Sequence, residues 1–324
     1  MNARLDVPFL SSALLMTDQL LGQVEAAMRR LVQMNPPNLL NRSANKPATA
    51  ATAAVYHLQS GGRRIRARLA LHAGMALGLS AHNSVVLAAV AELLHNASLV
   101  HDDLQDRDQY RRGVRTVWCE FGDNIAICAG DLLLSAAYGG LGDFVDDSEP
   151  RFLPGLLRLV QAGTSAAIYG QCADLAFNTD QDAVNARDIS AYKKIAIAKS
   201  GALLSLPLEL ALVCGGQPAF TWIAKRACEA FAIAYQIADD LHDVGQDTRC
   251  SDDKHPSLNA ILVLRQGGHG QDSYRLACEM ALQHLSQADA VAAQLPNSAG
   301  LLLQEFVHEL ACRVTHKLAL ELAG

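Results

Sequence analysis

From Ala51 onward the chain repeats one pattern: apolar side chains at helical spacing, cut by glycine and proline. Apolar residues recurring every three or four positions form a stripe along one side of a helix, and such stripes must be buried against other helices. The stretches run 51–60, 64–78, 81–106, 122–140, 151–177, 187–213, 219–243, 257–266, 272–293 and 299–321, with an earlier one at 12–33. Breaks fall at Gly61-Gly62, Gly139-Gly140, Pro150, Gly215-Gly216 and Pro296. There is no β-alternation of any length, no heptad run and no internal repeat. The expected fold is all-α, a single domain over residues 1–324 with roughly ten or more core helices. Residues 1–50 are expected to hold an N-terminal helix and a proline-containing loop, and residues 51–324 the bundle. The segment 34–52 carries three prolines and reads as a loop.

Half of the 324 residues are hydrophobic, enough for one large core. Aromatics are sparse at 5% while Ala and Leu recur, which favours packed helices. A formal charge of −6 argues against a nucleic-acid surface, because phosphate backbones demand basic stripes. The eight cysteines (119, 128, 172, 214, 228, 250, 278 and 312) show no CxxC and no paired spacing. They read as small hydrophobes in a reduced, cytoplasmic protein. The N-terminal MNARLDVPFLSS lacks the basic and apolar regions of a signal peptide. The longest apolar stretch, Val85 to Val100, is interrupted by Glu92, His95 and Asn96, so it reads as core and not as a membrane span.

Two helices end in acidic clusters. In AELLHNASLVHDDLQDRDQYRRG, Asp102, Asp103 and Asp106 close a long apolar stretch, and the i, i+4 spacing puts Asp102 and Asp106 on one face. Like charges so placed repel unless a cation lies between them. Mg²⁺ is the natural guest, since it favours hard oxygen ligands and completes its octahedron with waters and phosphate oxygens. Arg111-Arg112-Gly113 follow at once and offer two cations to further phosphate oxygens. In EAFAIAYQIADDLHD, 137 residues further on, Asp239, Asp240 and Asp243 repeat the design. One DDxxD reads equally well as a solvated helix end. Two copies, both closing apolar helices, do not.

In this order the motifs resemble the trans-isoprenyl diphosphate synthase (polyprenyl synthetase) family, from about Tyr56 to about Asn259. GGRRIRA at 61–67 is similar to the family's GGKRxRP, Gly170-Gln171 with Asp174 to its GQxxD, Lys199-Ser200-Gly201 to its Lys-Thr-Gly, and Tyr235-Gln236 to its Phe-Gln. The resemblance implies an isoprenoid-synthase-type helical bundle around a deep central cavity, with residues 51–324 as its catalytic part and the two aspartate motifs facing each other. It implies Mg²⁺-dependent, head-to-tail growth of an all-trans prenyl diphosphate. Metal ligation would fall to Asp102, Asp106, Asp239 and Asp243, with three Mg²⁺ per site and Mn²⁺ as a substitute. The resemblance further makes Asp102, Asp103, Asp106, Arg111, Lys199, Asp239, Asp240 and Asp243 the catalytic set. Arg63, Arg66, His95 and Arg112 would hold isopentenyl diphosphate. Arg111, Lys199, Gln171, Ser200 and Gln236 would serve the allylic diphosphate and the developing cation. A homodimer is the implied assembly, with no nucleic acid and no membrane span.

The departures are Arg63 for lysine, Ala67 for proline, Ser200 for threonine and Tyr235 for phenylalanine. After Asp243 the loop VGQDTRCSDDKHPSLNAI is short, and Lys254 is its one lysine. Either a lysine that grips the allylic diphosphate is missing or Lys254 takes its place. Product length is expected to depend on Ser98 and Ala97, four and five residues before Asp102, and on Leu94 one turn below Ser98. Both nearer residues are small, and no insertion separates the inner aspartates, as in geranylgeranyl-forming and longer-chain members. The expectation is C20 first, with longer products accessible. The competing readings are a class I terpene cyclase or unusual prenyl coupling enzyme, which shares the fold, and a non-catalytic subunit of a synthase. A cyclase does not need Arg63, Arg66 and His95, and such subunits generally lose aspartates that are intact here.

Overall fold

A computed structural model describes residues 7–34, 49–144, 152–179, 188–247 and 258–323, with the backbone alone at 7–16, 177–179, 243–247 and 322–323. Among these residues the chain is helical apart from one two-stranded ribbon, as the spacing of apolar residues requires. They pack as two compact units, Met1–Arg158 with Leu210–Gly216, and Leu159–Glu209 with Gln217–Gly324.

The first unit contains α1 (Val7–Gln33), α2 (Ala50–Gln59), α3 (Ile65–Ala76), α4 (Ala81–Gln105), α5 (Val117–Phe121) and α6 (Asp123–Gly140). Helix α4 is its axis, packed against α1, α3 and α6. Leu69, Leu71, Leu87, Leu93 and Leu133 are fully buried there, each worth about 1.5–3 kcal/mol of transfer free energy. Ser80 starts α4 by accepting from the Asn83 N–H, and Thr49 starts α2 by accepting from that of Thr52. Among the described residues, three helical stretches are long and apolar enough to cross a membrane by length and composition: Ala81–Gln105, Asp123–Asp143 and Ile189–Cys214. In α4, which contains the Val85–Val100 run, 78% of the most apolar part is buried by protein.

The ribbon, β1 (Tyr110–Arg111) with β2 (Val114–Arg115), was not legible as alternation, because each strand is two residues long. Its register pairs Arg111 with Val114, leaving Arg112 and Gly113 as a two-residue loop. Both have positive φ, 53° and 77°, the geometry of a tight hairpin turn.

The second unit contains most of α7 (Leu153–Thr179), then α8 (Ile189–Ala196), a π-helical turn at Ile197–Gly201, and the first part of α9 (Ala202–Cys214). It continues with α10 (Thr221–Asp247), α11 (Ala260–Leu264), α12 (Ser273–Ala292) and α13 (Leu301–Ala323). Helix α12 lies between α10 and α13. The single stretch expected at 187–213 is thus an α-helix interrupted by one wide turn, and that turn carries Lys199 and Ser200. Such insertions recur at functional positions.

Candidate functional site

In the first unit, helix α4 ends with Asp106 as its cap, whose N–H donates to the Asp102 carbonyl at 2.8 Å. Asp106 is exposed and Asp102 half-buried, one turn apart. Asp103 points the other way, into protein: it is 1% exposed and accepts from Nε of Arg111 at 2.6 Å. Arg111 Nη2 stands at 2.6 Å from the same oxygen. Burial raises the Asp103 carboxyl above its usual range, with Arg111 opposing the rise.

The hairpin turns Arg112 onto the Gly61-Gly62 turn. Its Nη1 donates to the Gly61 carbonyl, and its guanidinium lies so close to Gly62 that a Cβ there would collide with it. Gly62 also needs its φ of 131°, which L side chains rarely adopt. The motifs GGRRIR and RRG, some fifty positions apart, are therefore one cationic cluster. Burial, then Arg66, Arg112 and Arg111, holds the half-buried His95 imidazole well below its usual range. Burial, then Arg111, Arg112 and Arg64, pushes that of His57 down to about 3.

Arg63 is exposed and Arg66 half-buried. Arg64, between them, is structural: 7% exposed, it donates to the Leu58 carbonyl at 2.7 Å and pairs with Glu25 and Glu92. Leu94 and Ala97 are buried in this unit, and the half-buried Ser98 donates to the His95 carbonyl at 2.8 Å.

In the second unit, Asp239 is exposed on α10 while Asp240 is 6% exposed. Asp240 accepts from the Tyr192 hydroxyl at 2.6 Å, the Ala260 N–H at 2.8 Å and the Gln236 amide at 3.2 Å. Its own carbonyl accepts from Asn259 at 3.2 Å. Burial pushes the Asp240 carboxyl up to about 7, against the pull of those three donors. Lys199 pairs with Asp174 at 2.7 Å. Gly170 lets α7 approach the π turn, since a Cβ would strike the Ala198–Lys199 backbone. Gln171 and Ser200 are half-buried nearby in sequence and fold. A cavity of about 320 Å³ opens beside Asp239, lined also by Ala238, His242, Arg313, Val314 and Lys317. The side chain of Asp243 and all of Lys254 lie outside the described residues, as do positions 35–48 of the proline-containing segment.

Within each unit the inner aspartate is engaged by protein donors, Asp103 by Arg111 and Asp240 by Tyr192, Ala260 and Gln236. Among the described residues no three His, Cys, Asp or Glu side chains are gathered to hold a metal alone. Hard carboxylate oxygens in ones and twos suit Mg²⁺, which takes its remaining ligands from waters and phosphates. Sequence reasoning missed Tyr192, Asn259, His57, Arg313 and Lys317. A histidine or tyrosine on an apolar helix carries no local mark of its distant partner.

A sequence profile of the polyprenyl synthetase family matches residues 47–255. A (2E,6E)-farnesyl diphosphate synthase of Mycobacterium bovis is 35% identical over 184 residues, 56% of this chain; the chain spans 48% of that relative's length. The farnesyl diphosphate synthase of Escherichia coli is 32% identical over 262 residues, covering 78% of this chain and 81% of the relative. In structure, a geranylgeranyl pyrophosphate synthetase from Pyrococcus horikoshii superposes with a TM-score of 0.73 over 93% of this chain and 98% of its own, at 21% identity. At that identity the superposition speaks to the fold, which it shares.

Proposed function

The chain belongs to the polyprenyl synthetase family, and from there we propose that it joins isopentenyl diphosphate head to tail to an allylic diphosphate. The product is an all-trans prenyl diphosphate one isoprene unit longer. The observation that carries this reading is the cationic cluster of the first unit, where burial, then Arg66, Arg112 and Arg111, holds the His95 imidazole down, and burial, then Arg111, Arg112 and Arg64, does the same to His57. So much positive potential beside an acidic helix end suits a multiply charged anion together with a metal.

Arg63, Arg66, His95 and Arg112 hold the diphosphate of isopentenyl diphosphate. Arg111 and Lys199 serve the allylic diphosphate, for which Lys199 leaves Asp174; Lys254 is assigned to the same group. Asp102, Asp106, Asp239 and Asp243 are the residues that would hold Mg²⁺. Bound there with the allylic diphosphate, the metal supplies Lewis-acid neutralisation of the leaving group. Asp103 and Asp240 act as positioning residues, because their oxygens already serve Arg111, Tyr192 and Ala260. Arg313 and Lys317 put cations beside Asp239, where the short following loop is poor in lysine.

The allylic C–O bond breaks with its electron pair leaving on diphosphate, and the double bond of isopentenyl diphosphate attacks the resulting cation. Loss of a proton to the departing diphosphate restores an alkene. Ser200, Gln236 and backbone carbonyls stabilise the cation, and Gln171 lines its path. No protein nucleophile is required.

We assign C20 as the first product, supported by the small Ala97 and Ser98 ahead of Asp102; relatives named for the C15 product favour a shorter stop. Incubation with Mg²⁺, isopentenyl diphosphate and C5, C10 or C15 primers, with products identified by mass, tests both levels. Linear diphosphates growing by five carbons support the synthase, and the stopping point reads its length. A cyclic hydrocarbon made from the primer alone would make it a cyclase, and no turnover would point to a subunit. Ala97→Phe should shorten the product; an unmoved distribution would reject Ala97 as part of the chain-length floor.

A further inference from the structure

We propose that Glu92 and Arg64 are positioning residues for isopentenyl diphosphate: together they fix the start of α3, and with it Arg66, against the helix that carries His95. The inference rests on the roles given to Arg66 and His95 above. Helix α3 cannot cap itself. Its cap residue, Arg64, has no side-chain oxygen, and its backbone is left-handed, with φ 50° and ψ 41°. A residue with a Cβ holds that conformation only where its surroundings impose it. The missing cap comes from α4. Glu92, 3% exposed, accepts from the Ala67 N–H through Oε2 at 3.2 Å, the bond that a serine or aspartate at the cap position would make. Its other oxygen stands 3.5 Å from Nη1 of Arg64. The same guanidinium donates to the Leu58 carbonyl at the end of α2, at 2.7 Å, and pairs with Glu25 of α1 at 3.4 Å. Arg66 therefore lies between two residues, Arg64 and Ala67, that are each tied to Glu92.

A buried ion pair contributes little to stability, because desolvation of both charges offsets their attraction, and replacing both partners by neutral groups is often harmless. What such a pair supplies is one fixed arrangement. His95 follows Glu92 by three residues, the spacing of neighbours on a helix surface. Asn96, the next residue, donates to the Glu92 carbonyl at 2.7 Å. Arg66 is close enough to His95 for its charge to act on the imidazole. One carboxylate thus sets the spacing of two groups assigned to the same diphosphate. The outer side of the turn is held as well: the Arg63 carbonyl accepts from Nε of Arg68 at 3.2 Å, and Arg68 pairs with Asp18 of α1 at 2.6 Å. The left-handed Arg64 is the strained element that these contacts hold in place.

The test is calorimetric titration with isopentenyl diphosphate in Mg²⁺, with steady-state kinetics and melting temperatures alongside. The proteins are wild type, Arg64→Lys, and a double variant combining Arg64→Met with Glu92→Gln. The double variant removes both buried charges and keeps an amide oxygen for Ala67, so its melting temperature should stay close to that of wild type. Its affinity for isopentenyl diphosphate should fall about tenfold, the size of one charge-assisted hydrogen bond lost at Arg66 or His95. Its kcat and allylic KM should stay within about twofold, since only one substrate site is disturbed. Arg64→Lys keeps the charge but not the fork that reaches three partners, and should fall between the two. A pair that serves folding alone would lower the melting temperature and leave the affinity of the folded protein unchanged. Should the double variant not fold, Arg64→Lys decides by the same readout. Unchanged affinity in a folded variant, or kcat and both KM values moving together, overturns the proposal. A wild type that neither turns over nor binds isopentenyl diphosphate or inorganic pyrophosphate sinks the functional reading itself. A wild type that binds, with variants that bind equally well, sinks this inference alone.

Discussion

At the end of α4, the inner aspartate takes a full counter-charge: Asp103, 1% exposed, is gripped by Nε and Nη2 of Arg111 at 2.6 Å. At the end of α10, the inner aspartate takes only dipoles: Asp240, 6% exposed, is met by a hydroxyl, a backbone N–H and an amide. The letters DDxxD are the same in both. The difference teaches that the motif specifies the outer carboxylates, and that the inner one is an anchor whose chemistry the surrounding fold chooses. Dipoles compensate a buried charge less completely than a guanidinium does. The second anchor therefore holds a proton up to about pH 7, with burial as the main cause.

The comparison breaks most visibly at Arg111. Arg111→Leu leaves a buried carboxylate without its counter-charge and should cost about 3–5 kcal/mol in urea unfolding. A loss below about 1 kcal/mol would mean the pair behaves as an ordinary surface ion pair, and the contrast between the two ends would vanish.

A smaller effect sharpens the same contrast at Asp240. Its folded pKa, about 7, lies above the ordinary carboxylate value of 3.8, so the folded state keeps a proton that the unfolded chain releases. Its contribution to stability is therefore present below about pH 4 and lost as pH rises through 7. In metal-free protein this should amount to on the order of 3 kcal/mol between pH 4 and 8. Asp240→Asn keeps an oxygen for Tyr192 and Ala260 and carries no charge, so it should flatten that part of the pH profile. Parallel profiles for wild type and Asp240→Asn would show that the carboxyl titrates as an ordinary acid.

Much of this was written in the sequence. The helices were legible because each buries a stripe, and α10, expected over 219–243, forms over Thr221–Asp247. The outer aspartates were legible because i, i+4 spacing is local. The hairpin was not, since two-residue strands carry no alternation and the Arg112-Gly113 turn alone marks it. Nor was the anchoring of Asp240: Tyr192 is 48 residues away and Ala260 is 20, so only packing pairs them. His57 read as one more residue of an apolar helix. Its one local cue is its place just before Gly61-Gly62, whose purpose becomes clear with Arg112 lying on them.

Under the proposed function, one diphosphate is recognised by arginines and the other through carboxylates that need a metal. Calorimetric titration with isopentenyl diphosphate and with an unreactive allylic thiolodiphosphate, each in Mg²⁺ and in EDTA, separates the two. Isopentenyl diphosphate should bind with nearly the same affinity in both buffers, while the allylic analogue should lose its binding in EDTA. Loss of both in EDTA, or retention of both, would contradict the division of labour between the cationic cluster and the acidic helix ends.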